Sequence, residues 1–130
     1  MKIDFNYSSL DVSVDFVDKI CVFYDMSGTG KTFLFTMLKE YFLNKKIPFI
    51  GINYSNYRIL DNYDFSSNIK VFILDNADLY MNEDMFSKLE KSNKLVIMSI
   101  KNIKGLNQRY MGFYNVIYTE EKMRVMRFGV

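Results

Sequence analysis

One cysteine, one proline, six glycines and no tryptophan occur among the 130 residues. The single thiol, Cys21, excludes an internal disulfide, and its place in an apolar run gives it the role of a small core residue. No apolar run is long enough to span a bilayer and no secretory leader is evident, so the expectation is a soluble cytoplasmic protein with no membrane partner. Neither sign of charge dominates: 17 Lys and Arg stand against 15 Asp and Glu, a net charge of +2, with the two signs interspersed. That gives no strong nucleic-acid signal. Because no repeat, linker or low-complexity stretch interrupts the chain, residues 1–130 read as a single domain with one core.

What is present is apolar and aromatic. Hydrophobic residues make up 49%, and 12 Phe and 10 Tyr supply all the aromatic rings. With so many tyrosines, several must sit at the rim of the core with the ring buried and the hydroxyl wet. The abundance of Lys, Asn, Ile, Tyr and Phe fits an AT-rich genome. At the start, Ile3, Phe5 and Tyr7, and then Leu10, Val12, Val14 and Phe16, alternate with polar residues. Period two predicts half-buried strands, a hairpin or edge strand ahead of the next element.

The stretch from Lys19 to Thr36 carries the strongest signal. An apolar run, Ile20 to Tyr24, leads into Asp25-Met26-Ser27-Gly28-Thr29-Gly30-Lys31-Thr32, followed by apolar residues at helical spacing. Strand, glycine loop and helix form the context of a phosphate-binding loop. Gly28 and Gly30 let backbone N–H groups approach an anion, Lys31 reaches phosphate oxygens, and the Thr32 hydroxyl is placed for Mg²⁺. The helix start aims its free N–H groups at the same phosphates.

In these residues the chain resembles the P-loop NTPases, and the pentad Gly28 to Thr32 resembles the AAA-type and RecA-like ATPases within them. The resemblance implies ATP and Mg²⁺ as cofactors, with Ser27, Gly28, Thr29, Gly30, Lys31, Thr32 and Phe33 contacting nucleotide. The family pattern has glycine at position 25, where this chain has Asp25.

Downstream, Phe33 to Phe42 make a wide apolar stripe that suits a helix covered on most sides, ended by Asn44-Lys45-Lys46 and Pro48. Phe49 to Tyr54 reads as a short strand. Val71-Phe72-Ile73-Leu74 reads as a buried strand with Asp75 at its C-terminal end, where open α/β sheets place ligand chemistry. This resembles the Walker B element, which implies Thr32 and Asp75 as metal ligands. The family's following glutamate, which activates water, is Asn76 here. An amide orients water but cannot take its proton, so the general base is in doubt; Asp78 is the substitute, or else caps the next helix. Asn82-Glu83-Asp84 open that helix. Leu95 to Ile100 is a strand ending near Ser99 and Asn102, either of which occupies the place of the family's γ-phosphate sensor. Phe113 to Tyr118 and Lys122 to Phe128 read as a hairpin whose second arm is basic. Its charges suit an edge strand protected from aggregation, an acidic partner, or an arginine offered to a neighbouring subunit.

The alternation of strands and helices predicts an α/β fold, a three-layer sandwich with a mostly parallel central sheet of P-loop NTPase type and an antiparallel C-terminal hairpin at one edge. If the resemblance holds, the 95–100 strand lies between the P-loop strand and the 71–75 strand. The expected function is ATP binding with Mg²⁺ and slow or partner-dependent hydrolysis. Asn76 and Asp78 would handle water, and Arg109, Arg124 or Arg127 would supply the cation for the transition state, in a homo-oligomer or with a protein partner. The alternative is a small regulatory or interaction protein, of phage or mobile-element type, that keeps a degenerate P-loop fold to modulate a protein partner. Asp25 and Asn76 favour that alternative, and a nucleotide kinase ranks below both.

Overall fold

The structure, a computed structural model, describes residues 1–24, 29–102 and 111–128, the side chains of residues 29 and 128 excepted. Strands β1 (Lys2–Tyr7) and β2 (Leu10–Asp15) pair antiparallel. Their alternation sends Ile3, Val12 and Val14 into the core while Asp11, Ser13 and Asp15 face solvent. The turn between them is Ser8-Ser9, both at positive φ (50° and 69°), the backbone of a two-residue hairpin turn whose twist matches its strands.

Strand β3 (Ile20–Tyr24) has four buried residues and is followed by helix α1 (Thr29–Asn44). The helix ends where Lys46 turns left-handed (φ 57°) and the Ile47 N–H reaches back 2.9 Å to the Phe42 carbonyl, closing the last turn ahead of Pro48. Next come β4 (Phe49–Ile52), a 3₁₀ turn (Tyr57–Asn62), β5 (Val71–Leu74), a short 3₁₀ turn (Ala77–Leu79) and helix α2 (Glu83–Lys91). Asn82 caps α2 by accepting from the Met85 N–H at 2.9 Å, with Glu83 and Asp84 in the first turn and Lys88 and Lys91 in the last, matching the helix dipole. Strands β6 (Leu95–Ile100), β7 (Met111–Thr119) and β8 (Lys122–Phe128) are the last of the described elements. No helix among the described residues is long and apolar enough to cross a membrane.

All eight strands join one sheet in the order β1-β2-β8-β7-β3-β6-β5-β4. β3 pairs in parallel with β6 and β7, and β5 in parallel with β6 and β4. β7 and β8 form an antiparallel hairpin, and β8 is joined in parallel to β2 of the N-terminal hairpin. Laid flat, eight strands at about 4.8 Å would span about 34 Å. Yet α1, a cylinder about 10 Å across, is touched from both edges. Phe5 of β1 meets Tyr41 with ring centroids 5.0 Å apart, Tyr7 meets Phe33 at 5.8 Å, and Phe49 of β4 meets Phe42 at 6.0 Å. The sheet is therefore curled around the helix as a half-barrel.

This overturns the expected three-layer α/β sandwich with a mostly parallel sheet. Strand accounts for 40% of the described residues and helix for 29%, and the sheet is mixed. The physical reason lies in the connections. Among the described residues two of them, β3 to β4 and β5 to β6, carry an α-helix, which puts one helix on each face, too few to cover eight strands as full helical layers. The two hairpins add four strands with no helix of their own. The β7–β8 hairpin is also not at an edge, since β1 and β2 lie outside it, so the charges of β8 do not protect a free strand.

The concave face and α1 enclose one core, including Val12, Val14, Phe23, Leu34, Met37 and Phe42. The other face buries Val22, Phe72, Leu74 and Met98 under α2 and the Tyr57–Asn62 turn. At the N-terminal end of β3, Asp18 ties the C-terminal hairpin to the sheet. The Tyr114 hydroxyl donates to its carboxylate at 2.7 Å and Arg127 Nε at 2.8 Å, while the Val17 N–H donates to the Tyr114 oxygen at 3.0 Å. A Cβ at Gly112 would lie 1.8 Å from Asp18 Oδ2, so only glycine admits the carboxylate.

Burial alone would raise the Asp18 carboxyl, but the hydrogen bonds from Arg127 and Tyr114, together with the guanidinium charge, hold it below its ordinary 3.8. A carboxylate depressed in the folded state stabilises above its unfolded pKa and loses that contribution as pH falls through the folded one. Wild type should therefore exceed Asp18→Asn in urea-unfolding stability near neutral pH, with the gap closing below pH 3.8. A gap that does not change with pH would refute this. Gly112→Ala should cost about 2 kcal/mol or more at neutral pH, because the carboxylate or the strand must move.

Candidate functional site

Three chain segments meet at the C-terminal ends of the central strands. Lys31 lies in the first turn of α1 and is only 8% exposed, an unusual burial for an ammonium. Its Nζ is 2.8 Å from Asp75 Oδ1, beyond the end of β5, and donates at 2.8 Å to the Asn76 side-chain oxygen. The Ser99 hydroxyl of β6 donates to the same Asp75 oxygen at 3.0 Å and accepts from the Asn76 backbone N–H at 2.9 Å. The result is a closed ring of four groups from α1, β5 and β6.

Backbone geometry explains the residue at position 76. Asn76 is left-handed (φ 49°, ψ 51°), a conformation in which asparagine is enriched. That turn points its N–H at Ser99 and its amide at Lys31. The sequence assigns the position a water in place of the family's glutamate; the structure adds a side-chain hydrogen bond to Lys31. Tyr80 braces the same strand ends, its hydroxyl donating to the carbonyls of Asp75 (3.0 Å) and Ile52 (3.2 Å). Burial, and then the charges of Asp75 and Asp78, hold its proton on well above the usual tyrosine range.

No protein-family model, curated protein or solved structure matches the chain. The site is therefore read from its own residues.

Lys31, Thr32 and Asp75, with Asn53 after β4, line a cavity of about 120 Å³ between α1 and the ends of β4 and β5. Of the other expected contacts, Gly30 lies in the first turn of α1, and the Phe33 ring packs edge-on against Tyr7 of β1. Asp25, Ser27, Gly28 and Arg109 lie outside the described residues, as does the side chain of Thr29.

Asp78 does not cap α2, since Asn82 does. Its Oδ2 accepts from the Asn102 N–H at 3.1 Å, joining the turns after β5 and β6, while its Oδ1 is buried without a hydrogen-bond partner among the described residues. Ser99, a candidate sensor, is inside the ring, whereas Asn102 is tied to Asp78 through its backbone. Arg127 is committed to Asp18, before β3 begins, and β3's five residues put about 16 Å between that end and the Lys31 end. Arg124 sits on β8 beside a groove also lined by Asp4 and Asp11. Neither arginine is at the site.

Sequence reasoning missed Thr36, Lys39, Gly51 and Asn53, which line the same cavity. Lys39 was legible as eight residues beyond Lys31, on the same face of a helix, and Gly51 as an isolated glycine inside a strand.

The ring predicts an asymmetry. Asp75→Ala strips a nearly buried ammonium of its countercharge and should cost about 1–3 kcal/mol in urea unfolding. Lys31→Met leaves a half-exposed carboxylate still bonded to Ser99 and should cost under about 1 kcal/mol. The reverse order would mean that the pair is not formed in solution.

Proposed function

We propose that the chain binds ATP with Mg²⁺ at this site and hydrolyses it slowly or only with a partner. One observation carries the reading: Lys31 of a helix's first turn, Thr32 beside it and Asp75 line one cavity at the C-terminal ends of parallel strands. In that chemistry a lysine and a helix N-terminus suit phosphate oxygens, and a hydroxyl with a carboxylate suits a hard divalent cation. The likeness to AAA-type and RecA-like P-loop ATPases belongs to the same proposal. So does the order of β3, β6 and β5, which is the one that likeness implies.

The residues divide the work. Lys31 would exchange its contacts to Asp75 and Asn76 for phosphate oxygens, freeing the carboxylate, with Thr32, to hold Mg²⁺. Bound there, Mg²⁺ would neutralise phosphate charge. Asn76 can orient a water but not deprotonate it, which makes turnover slow in the chain alone. At about 120 Å³ the cavity is well below the roughly 300–1,000 Å³ of sites that enclose a whole ligand. It takes the phosphate end and leaves the base at the surface.

A second reading is favoured by the ring itself. Lys31 already has partners within the chain, so it serves equally as a strut in an interaction protein that modulates a protein partner.

Calorimetric titration separates the two. Mg-ATP should bind with micromolar Kd, and Lys31→Ala should abolish the heat and the ligand-induced thermal stabilisation, about 2.7 kcal/mol at a hundredfold excess over Kd. Absence of both in wild type at millimolar nucleotide would remove the ATP reading and leave the strut.

A further inference from the structure

A phosphate site of this kind calls for a second cation on the terminal phosphoryl group, and neither Arg124 nor Arg127 is placed to give it. The cavity itself contains one. Lys31, Phe35 and Lys39, with Thr32 and Thr36, lie along one stripe of α1 facing β4 and β5. Lys31 is neutralised by Asp75, whereas Lys39 has no ion pair among the described residues. Its ammonium therefore leaves the lining with an uncompensated positive charge. It lies against Gly51, where a Cβ would come within 3.2 Å of both its Cε and its Nζ. A side chain at this strand position would push the end of the lysine away by a few tenths of an ångström, so Gly51 lets the ammonium lie against the sheet.

We propose that the cleft between α1 and β4 receives the terminal phosphoryl group of the nucleotide between Lys31 and Lys39, with the Thr36 hydroxyl beside it. Lys39 then supplies from the same chain the charge that related chemistry takes from an arginine. The inference rests on the nucleotide reading, but the oxyanion chemistry is shared with free inorganic phosphate, which occupies the cleft on its own or beside a diphosphate.

The test titrates Mg-ATP, Mg-ADP, inorganic phosphate alone and inorganic phosphate with saturating Mg-ADP into wild type, Lys39→Gln and the surface control Lys46→Gln. Lys39 is exposed, so its glutamine variant should melt as wild type does. Lys39→Gln should weaken Mg-ATP at least tenfold, change Mg-ADP less than twofold and abolish phosphate binding, while Lys46→Gln changes none of these. Equal weakening of ATP and ADP, or unchanged ATP binding, would overturn the proposal. If wild type binds neither nucleotide, the nucleotide reading fails by itself. Phosphate bound by wild type and lost in Lys39→Gln would still support the cleft, and no phosphate binding would overturn it.

Discussion

Helix α1 is gripped from both edges of the sheet, and the rest of the architecture follows from that contact. Its buried residues Leu34, Phe35, Met37, Leu38 and Phe42 make one broad apolar face. Burial of each such side chain is worth roughly 1.5–3 kcal/mol, while a whole domain is stable by only about 5–15 kcal/mol. A sheet that flattened and exposed even two of them would forfeit much of that margin. Curling is thus the cheaper state, and it fixes the first turn of α1 above the ends of β5 and β6.

That fixed turn is what lets a lysine be buried. The ammonium is tolerable because a carboxylate and an amide oxygen meet it, and the Ser99 hydroxyl, bonded to both of those residues, holds them in place. The left-handed backbone of Asn76 belongs to the same arrangement. Strain of this sort persists only where the surroundings over-determine it, and here Ser99 accepts the N–H that the turn exposes. Two turns further along the same stripe of the helix, Lys39 lies over Gly51 with no such ring around it among the described residues.

Local signals in the sequence conveyed the elements and left out the shape. The buried run 71–74 ending in Asp75, the glycine-lysine turn into α1 and the alternation of 10–16 are each decided within a few residues, and each appears in the structure as a strand or helix start. The curl depends on β2 meeting β8, a pairing between residues more than a hundred positions apart, which no local period encodes. Arg127 was unreadable for the same reason. Its basic arm looked available to a partner, yet its guanidinium closes on Asp18, 109 residues away. Asp78 was misjudged because two polar residues competed for one cap, and Asn82 stands at the residue next to the helix.

The parallel seam between β2 and β8 also constrains the order of assembly. The N-terminal hairpin is made early in synthesis, but its inner edge has no partner until the last described strand exists. Until then β2 offers unpaired N–H and carbonyl groups along one side, and α1 lacks part of its cover. Closure across so large a sequence separation is slow compared with helix or hairpin formation. Were the helix and central strands to form before this seam closes, the half-barrel would stand open, and the exposed edge of β2 would be a place for other copies to pair.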